Sequence, residues 1–382
     1  MFYILQYAYT PNTASCNRLL GFYKTLDAMG IEATIVHLAP NEDKSKIKDI
    51  YNHLHLEYNY NGYLPYKKFI KKILVLSSLR NFVKRLHTGD IVYTYQISKL
   101  TLACQGISGV KVYAEMTEHP DACMCVADPS ILLNKEEFIK CVCSLDGLFV
   151  ISRPLKSYFT FLGLDESKIQ IINMTVDENR FSNVEKQLGA ERYIAYCGTA
   201  SNTKDGVDEL IKAFSIVHKK IPDVFLYIIG KTPRKDERFS NMELVKELGI
   251  EDVVRFTGAL SSDKIPQMLK DAEILALARP SNLQSTYGFP TKLGEYLLTK
   301  NIVVITSVGD IPFFLEDKVS ALIAPPSDTK EFANKLIWAL QNKNKAKMIG
   351  EEGCRVAQKN FTSRVEGEKM VRFMGLLNDK IC

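Results

Sequence analysis

Short apolar runs alternate with stretches of helical periodicity along nearly the whole chain, and this alternation limits the folds open to it more than any other feature. Runs at 2–7, 33–38, 91–95, 110–114 and 147–151 have the length and composition of buried strands. Between the first two, Leu19, Phe22, Tyr23, Leu26 and Met29 recur at three- and four-residue spacing; Ser15 is placed to cap that helix and Gly30 to end it. After a polar stretch around 177–190, a second series has strands at 192–197, 223–229, 252–256, 273–278 and 302–306. Helical patterns at 206–219, 240–249, 262–271, 290–299 and 329–342 separate them. Two such series predict an α/β protein with two parallel sheets covered by crossover helices. At 382 residues the chain exceeds the roughly 150 of one ordinary domain. The expected division is 1–180 and 181–360, with a last helical segment, 361–382, packing back on the first domain.

Composition removes several classes. Hydrophobic residues at 46% and charged residues at 24% are the balance of a globular chain with a sizeable core. No apolar run approaches the ~20 residues that span a bilayer, and the start, MFYILQYAYTPN, lacks the basic region and cleavage site of a signal peptide. A cytoplasmic chain with its nine cysteines reduced is therefore expected. No GxGxxG or GxxxxGK[ST] occurs, which takes away the main support for dinucleotide or P-loop binding.

Ligands of parallel α/β sheets bind beyond the carboxyl ends of strands, so the segments after each strand hold the candidates. In Tyr287-Gly-Phe-Pro-Thr-Lys-Leu-Gly-Glu295, Pro290 and Thr291 suit the first turn of a helix, leaving the N–H groups of Lys292 and Leu293 for an anion. Glu295 shares a helix face with Thr291 and Lys292. One face then offers positive charge to a diphosphate and a carboxylate to the two hydroxyls of a ribose; an exposed Lys–Glu pair on a surface helix fits the same letters. The segment Cys197-Gly-Thr-Ala-Ser-Asn-Thr-Lys-Asp-Gly206 and Arg279 follow two other strands, Arg279 either facing a ligand or solvated at a strand end.

The order of motifs after residue 190 resembles the retaining glycosyltransferases of family four, specifically a bacterial surface-polysaccharide branch. The carrying residues are Gly198, Lys204 and Gly206 before DELIKAF, Phe256-Thr-Gly258, ARPSNLQSTYGFPTKLGEYL, and Glu295 as the second carboxylate of a Glu-x7-Glu pair. The resemblance implies the GT-B architecture, two facing Rossmann-like domains with the carboxyl-terminal helix returning to the first. It also implies transfer of a sugar, with retention, from a nucleotide-diphosphate donor, UDP-linked in the simplest case, to a saccharide or lipid-linked acceptor. No cofactor beyond the nucleotide-sugar co-substrate and no metal are expected, there being no Asp-x-Asp. Donor-binding residues would be Gly198, Thr199, Lys204, Arg279, Thr291, Lys292, Leu293 and Glu295, with Lys204 and Lys292 stabilising the departing diphosphate. Tyr287 stands where the family has its first carboxylate, Thr199 where it often has an arginine, and Asp205 intervenes between Lys204 and Gly206. A non-hydrolysing sugar-nucleotide epimerase or a donor-binding subunit without turnover are the rival readings.

The first half is expected to take the acceptor. Its loop from Tyr9 to Arg18 opens the first helix, placing Asn17 and Arg18 where the family approaches the transferred sugar; Arg18 against the helix dipole suits an anionic ligand or a solvated surface. Glu115, Glu118 and His119 follow the strand at 110–114, where the two carboxylates and the histidine could orient the acceptor, Glu118 by binding it, or assist proton transfer, or could cap the following turn. Cys123-Met-Cys125 and Cys141-Val-Cys143 have the wrong spacing for zinc, and buried thiols are the default. The stretch 66–86 joins seven Lys and Arg residues to Phe69, Ile70, Ile73, Leu74, Phe82, Val83 and Leu86. It reads either as a peripheral contact with anionic membrane at the inner face or as a domain helix with a solvated basic side. The rest of the chain is slightly acidic and the bases lack interleaved exposed aromatics, so nucleic acid is not an expected partner.

Overall fold

The computed structural model describes residues 1–7, 14–38, 55–58, 68–123, 131–187, 191–231 and 235–376. The chain forms two compact units, Met1–Asn173 with Glu366–Cys382, and Met174–Val365.

The first unit is built on strands β1 (Phe2–Gln6), β2 (Ala33–His37), β3 (His55–Tyr58), β4 (Ile91–Tyr95), β5 (Lys111–Met116), β6 (Gly147–Val150) and β7 (Ile169–Ile171). They make one seven-stranded sheet in the order β3-β2-β1-β4-β5-β6-β7, with every pairing parallel. The first helix, Ala14–Ala28, is already running at Ala14, so Ser15 lies inside it and does not cap it. Its Leu19, Phe22, Tyr23 and Leu26 do face the sheet as their spacing predicts, packing on Phe2, Ile4, Tyr93 and Phe149. Met370, Val371 and Met374 of the returning carboxyl-terminal segment complete that cluster.

The second unit holds β8 (Tyr193–Cys197), β9 (Phe225–Ile229), β10 (Val254–Gly258), β11 (Ile274–Leu277), β12 (Ile302–Thr306) and β13 (Leu322–Ala324). Its sheet has six parallel strands in the order β10-β9-β8-β11-β12-β13. Helix Val207–Lys220 carries Asp208 and Glu209 in its first turn and His218, Lys219 and Lys220 in its last, both ends complementing the helix dipole. Both sheets thus share one winding, reversing direction between β1 and β4 and again between β8 and β11. This is the α/β, doubly Rossmann-like architecture expected from the alternation of runs.

Three expectations change. Helix Lys343–Asn360, absent from the periodicity reading, is the longest of the second unit among the described residues. A helix expected over 290–299 spans Lys292–Leu298, preceded by a separate short helix, Leu283–Tyr287, that Asn282 and Ser285 close with a capping box. In the basic segment, helix Lys68–Val83 puts Val75, Leu79 and Phe82 into the core and Leu86 just after it is buried too, so Phe82 and Leu86 do not belong to a membrane-facing side. Tyr66 and Lys67, and the side chains up to Lys72, lie outside the described residues, as do the loop 8–13, the Cys123 side chain and Cys125. Among the described residues no helix is long and apolar enough to cross a membrane.

Candidate active site

Because β8 and β11 are neighbours in the sheet while the chain leaves them in opposite directions, a crevice opens beyond their carboxyl ends. Gly198 and Thr199 follow β8 and Arg279 follows β11. Lys204 stands in the short helix Asn202–Asp205, which Ser201 caps by accepting from the Lys204 N–H at 3.3 Å and Gly206 ends in the left-handed region. A Cβ on Gly206 would overlap the Ala278 carbonyl oxygen. Gly206→Ala is therefore expected to destabilise the second unit by more than the ~1–2 kcal/mol of a left-handed alanine alone, read as a lowered melting temperature in a thermal melt. A wild-type melt would show that helix Val207–Lys220 can withdraw from β11.

Four side chains interlock at this end of the sheet. Lys292 forms an ion pair with Asp205 and donates to the Tyr196 hydroxyl at 2.9 Å, its ammonium 4.6 Å from the centre of that ring. The Tyr196 hydroxyl lies 2.7 Å from Asp205 Oδ2 and 2.8 Å from the Thr199 carbonyl, with one proton to give to either. Arg279 is only 2% exposed; its Nε donates to the Lys204 carbonyl at 3.2 Å and stands 3.8 Å from Asp205 Oδ1. Burial pushes the Asp205 carboxyl up, but Lys292 and then Arg279 more than reverse this, so it stays below the usual carboxylate range. Burial pulls the Lys292 ammonium down from its ordinary value, Asp205 opposing, and the nearby cations Arg279 and Lys204 act in the same direction as burial. Lys292 and Arg279 thus meet one buried carboxylate, with Lys204 near enough to act on the Lys292 ammonium, so positive charge exceeds negative charge here.

A Cβ on Gly198 would displace the end of the Lys292 side chain from the cluster and press on the Tyr196 hydroxyl. Thr199 is exposed, and its backbone carbonyl accepts from the Tyr196 hydroxyl. Arg279 is not a solvated strand-end residue, because the Lys204 carbonyl and Asp205 draw it inward.

The start of helix Lys292–Leu298 differs from expectation in two respects. Thr291 occupies the cap position with helical dihedrals and makes no side-chain cap bond. Leu293 is fully buried and its N–H donates to the Pro290 carbonyl at 3.0 Å, so that N–H is consumed by a tight turn and does not face an anion. Glu295 does lie one turn beyond Lys292, but it is not an exposed partner of that lysine. It pairs with Arg180, whose Nη2 also donates to the Ser262 carbonyl at 3.2 Å. Asp205 and Arg180 as counter-ions, and Tyr196 as their hydroxyl neighbour, were not singled out by sequence reasoning. A charged letter within a phosphate-binding stretch and an arginine within the polar stretch 177–190 were the available signals.

In the first unit, Arg18 and Glu115 come together, inside the fold. Arg18 is 7% exposed and Glu115 1%; they form an ion pair, and Arg18 also donates to the carbonyls of Ile172 and Asn173. Tyr93 donates to the other Glu115 oxygen. Burial would lower Arg18, and Glu115 more than reverses that, holding the guanidinium charged. Glu115, expected to orient the acceptor or move a proton, has both oxygens engaged, and Arg18, expected near a ligand or at the surface, is a buried brace joining the first helix to β5 and to the end of the unit. Asn17, the next residue back along that helix, is exposed. His119 is buried with its ring on Tyr158, centroids 4.4 Å apart, and Nδ1 accepts from the Asp121 N–H at 3.2 Å. Burial lowers its pKa despite Asp121, so the imidazole is neutral with its proton on Nε2. Glu118 is partly exposed beside it. Cys141 is buried and Cys143 exposed, and they point apart.

A cavity of about 600 Å³ opens elsewhere in the second unit, against Ile274 and Ile302 at the amino-terminal ends of β11 and β12.

Residues 177–356 match the family model described as glycosyl transferases group 1. A mannosylfructose-phosphate synthase of Agrobacterium fabrum is 24% identical over 214 residues, 52% of this chain and 46% of its own. An MMP alpha-(1->4)-mannosyltransferase of Mycolicibacterium hassiacum is 24% identical over 216 residues, 56% of this chain and 50% of its own. The chain thus spans about half the length of these curated relatives. Among solved structures, Anabaena HepE in complex with UDP and glucose superposes with a TM-score of 0.74 at 15% identity, over 98% of this chain and 99% of that one. At that identity the likeness is one of fold, the GT-B arrangement of two Rossmann-like domains.

Proposed function

We propose that this chain is a glycosyltransferase that moves a sugar, with retention, from a nucleotide-diphosphate donor to a saccharide or lipid-linked acceptor, in the making of cell-surface polysaccharide. The observation that carries the reading is the pairing of Lys292 and Arg279 with Asp205 at the carboxyl ends of β8 and β11, with Lys204 close enough to act on Lys292 and Glu295 one turn further on. Cations held in place before the reaction stabilise the charge that develops on a departing diphosphate without having to reorganise. Gly198 and Thr199 would line the phosphates, Thr291 would meet them from the exposed helix start, and Glu295 would accept from the ribose hydroxyls. A fold relative crystallised with UDP supports uridine as the base. In the first unit we assign acceptor handling to Asn17, Glu118 and His119. Neutral His119 would donate from Nε2 to a sugar oxygen, while Arg18 and Glu115 keep that part of the unit rigid. The reading includes metal-independent turnover and a cytoplasmic chain. It also includes contact with an anionic membrane through the basic side of 66–86, borne by Arg80, Lys84 and Arg85, which are exposed.

Calorimetric titration with UDP, GDP, ADP and TDP tests it: one diphosphate, UDP by expectation, binds, and binding of none of them overturns the reading. Glu295→Ala is expected to weaken that binding by roughly 10²-fold, two hydrogen bonds to a charged acceptor at about 1.5 kcal/mol each. Incubating the matching nucleotide sugar alone should leave it unisomerised, whereas an epimerase would convert it.

A further inference from the structure

We infer that Arg180 is the positioning residue of the ribose-binding carboxylate, splitting its guanidinium between Glu295 and Ser262 so that one oxygen of Glu295 is held and the other is kept for the nucleotide. The inference rests on the donor-site reading above and adds a residue to it.

Arg180 sits in a turn that is itself pinned. The 3₁₀ turn Glu178–Phe181 is capped by Asp177, whose carboxylate accepts from the Asn179 N–H at 3.1 Å, and Phe181 at its end is buried. Just before it, the Val176 N–H donates to the Phe361 carbonyl at 2.8 Å and the Val176 carbonyl accepts from Ser363 at 3.1 Å. The backbone carrying Arg180 is therefore fixed on both sides, and its guanidinium arrives at Glu295 from across 115 residues of sequence.

The form of the contact argues for more than a structural bridge. An arginine and a carboxylate left to themselves favour the two-pronged pairing that uses both oxygens. Here the fork is divided: Nη1 goes to Oε1 of Glu295, and Nη2 goes to the carbonyl of Ser262 at 3.2 Å and its hydroxyl at 3.4 Å. Among the described residues, Oε2 of Glu295 accepts no hydrogen bond from the protein. An ionised oxygen with two lone pairs is what a vicinal diol requires, whereas a protonated carboxyl would itself have to donate.

The charge balance gives Arg180 a second task. Burial raises the Glu295 carboxyl above its ordinary value, and Arg180 offsets part of that rise. The other titratable groups facing it are Cys197 at the end of β8, whose thiol burial pushes up to about 12, and Tyr296, also pushed up chiefly by burial. Neither is a cation near neutrality, so Arg180 supplies the counter-charge that keeps Glu295 ionised and able to accept.

The test is UDP affinity by calorimetry from pH 5.5 to 8.5, with kcat and KM for transfer, in wild type, Arg180→Gln, Arg180→Lys, Glu295→Ala and the Arg180→Gln/Glu295→Ala double variant. Wild-type affinity is expected to weaken only toward the acid end. In Arg180→Gln the midpoint of that loss moves up by about 1–3 pH units, the effect of removing an adjacent opposite charge, so UDP binding at pH 7 falls about tenfold or more and recovers on raising the pH. Lysine, a point charge in the same place, restores the midpoint at least in part even if it misses Ser262. In the Glu295→Ala background the Arg180 change has no further effect. An Arg180→Gln profile parallel to wild type, whatever its level, or an equal loss in the Glu295→Ala background, overturns the inference and makes Arg180 a purely structural residue. Should Arg180→Gln not fold, the decision passes to Arg180→Lys, whose midpoint must lie at or above that of wild type and must not move in the Glu295→Ala background. Failure of wild type to bind any nucleotide overturns the donor-site reading itself, an outcome distinct from all of these.

Discussion

Replacing Lys292 with methionine is expected to reduce kcat by about 10²–10³-fold and to destabilise the second unit by about 3–5 kcal/mol, and adding Asp205→Asn is expected to restore the stability but not the turnover. Asp205 is 2% exposed, and its charge is met by Lys292 in close contact, by Arg279 at 3.8 Å and by the Tyr196 hydroxyl. Without the ammonium, a buried carboxylate keeps one more distant cation, and leaving a buried charge underpaired is more costly than removing both members of a pair. The pH dependence separates the variants. In wild type the Asp205 pKa is depressed, so its contribution to stability is complete above the unfolded value and is lost as pH falls through the folded one. In Lys292→Met burial acts with less opposition, the carboxyl rises above its unfolded value, and stability increases as pH is lowered through it. Melts between pH 4 and 8, with transfer assayed by release of nucleoside diphosphate, read both effects. A single variant that melts like wild type at every pH would show that the pair is not what holds Asp205 ionised.

The second large effect belongs to the first unit. Glu115→Ala is expected to destabilise it by about 3–5 kcal/mol, because it strands the buried guanidinium of Arg18 and deprives the Tyr93 hydroxyl of its acceptor. At roughly 2–4 °C per kcal/mol for a unit of this size, that is on the order of 10 °C in melting temperature. Joining Arg18→Met to Glu115→Ala should recover much of the loss, since the methionine leaves no charge in the core. UDP binding measured below the transition should be unchanged in both. A Glu115→Ala variant of wild-type stability and abolished transfer would return Glu115 to the reacting groups and remove its bracing role.

The elements that periodicity recovers and those it misses differ for physical reasons. The central strands, such as β8 and β12, are paired on both sides and covered on both faces, so they carry long apolar runs that stand out in any window. The strands missed are β3, β7 and β13, of four, three and three residues, and all three lie at sheet edges. An edge strand needs fewer residues and less apolar surface, so its letters resemble a loop. Helix Lys343–Asn360 escaped because Gly350 and Gly353 lower its intrinsic propensity. In the fold those glycines let it approach the backbone at Lys300–Asn301 and Ser320, where a Cβ would collide, so packing overrides propensity.

The candidate site divides along the same line. From the letters alone came the alternation of strand and helix in both units, the segments beyond the strands where Gly198, Lys204, Arg279 and Lys292 stand, and the one-turn spacing of Lys292 and Glu295, because these depend on local repeats of two and 3.6 residues. Which charge meets which did not. Arg18 finds Glu115 across 97 residues, Lys292 finds Asp205 across 87, and Arg180 finds Glu295 across 115. Whether a charged side chain is a solvated decoration, a structural brace or a group held ready for a ligand depends on its desolvation and its partner, and both are properties of the packed chain. Periodicity is short-ranged and survives in sequence, whereas the pairing of buried charges is decided only when the sheets have brought distant segments together.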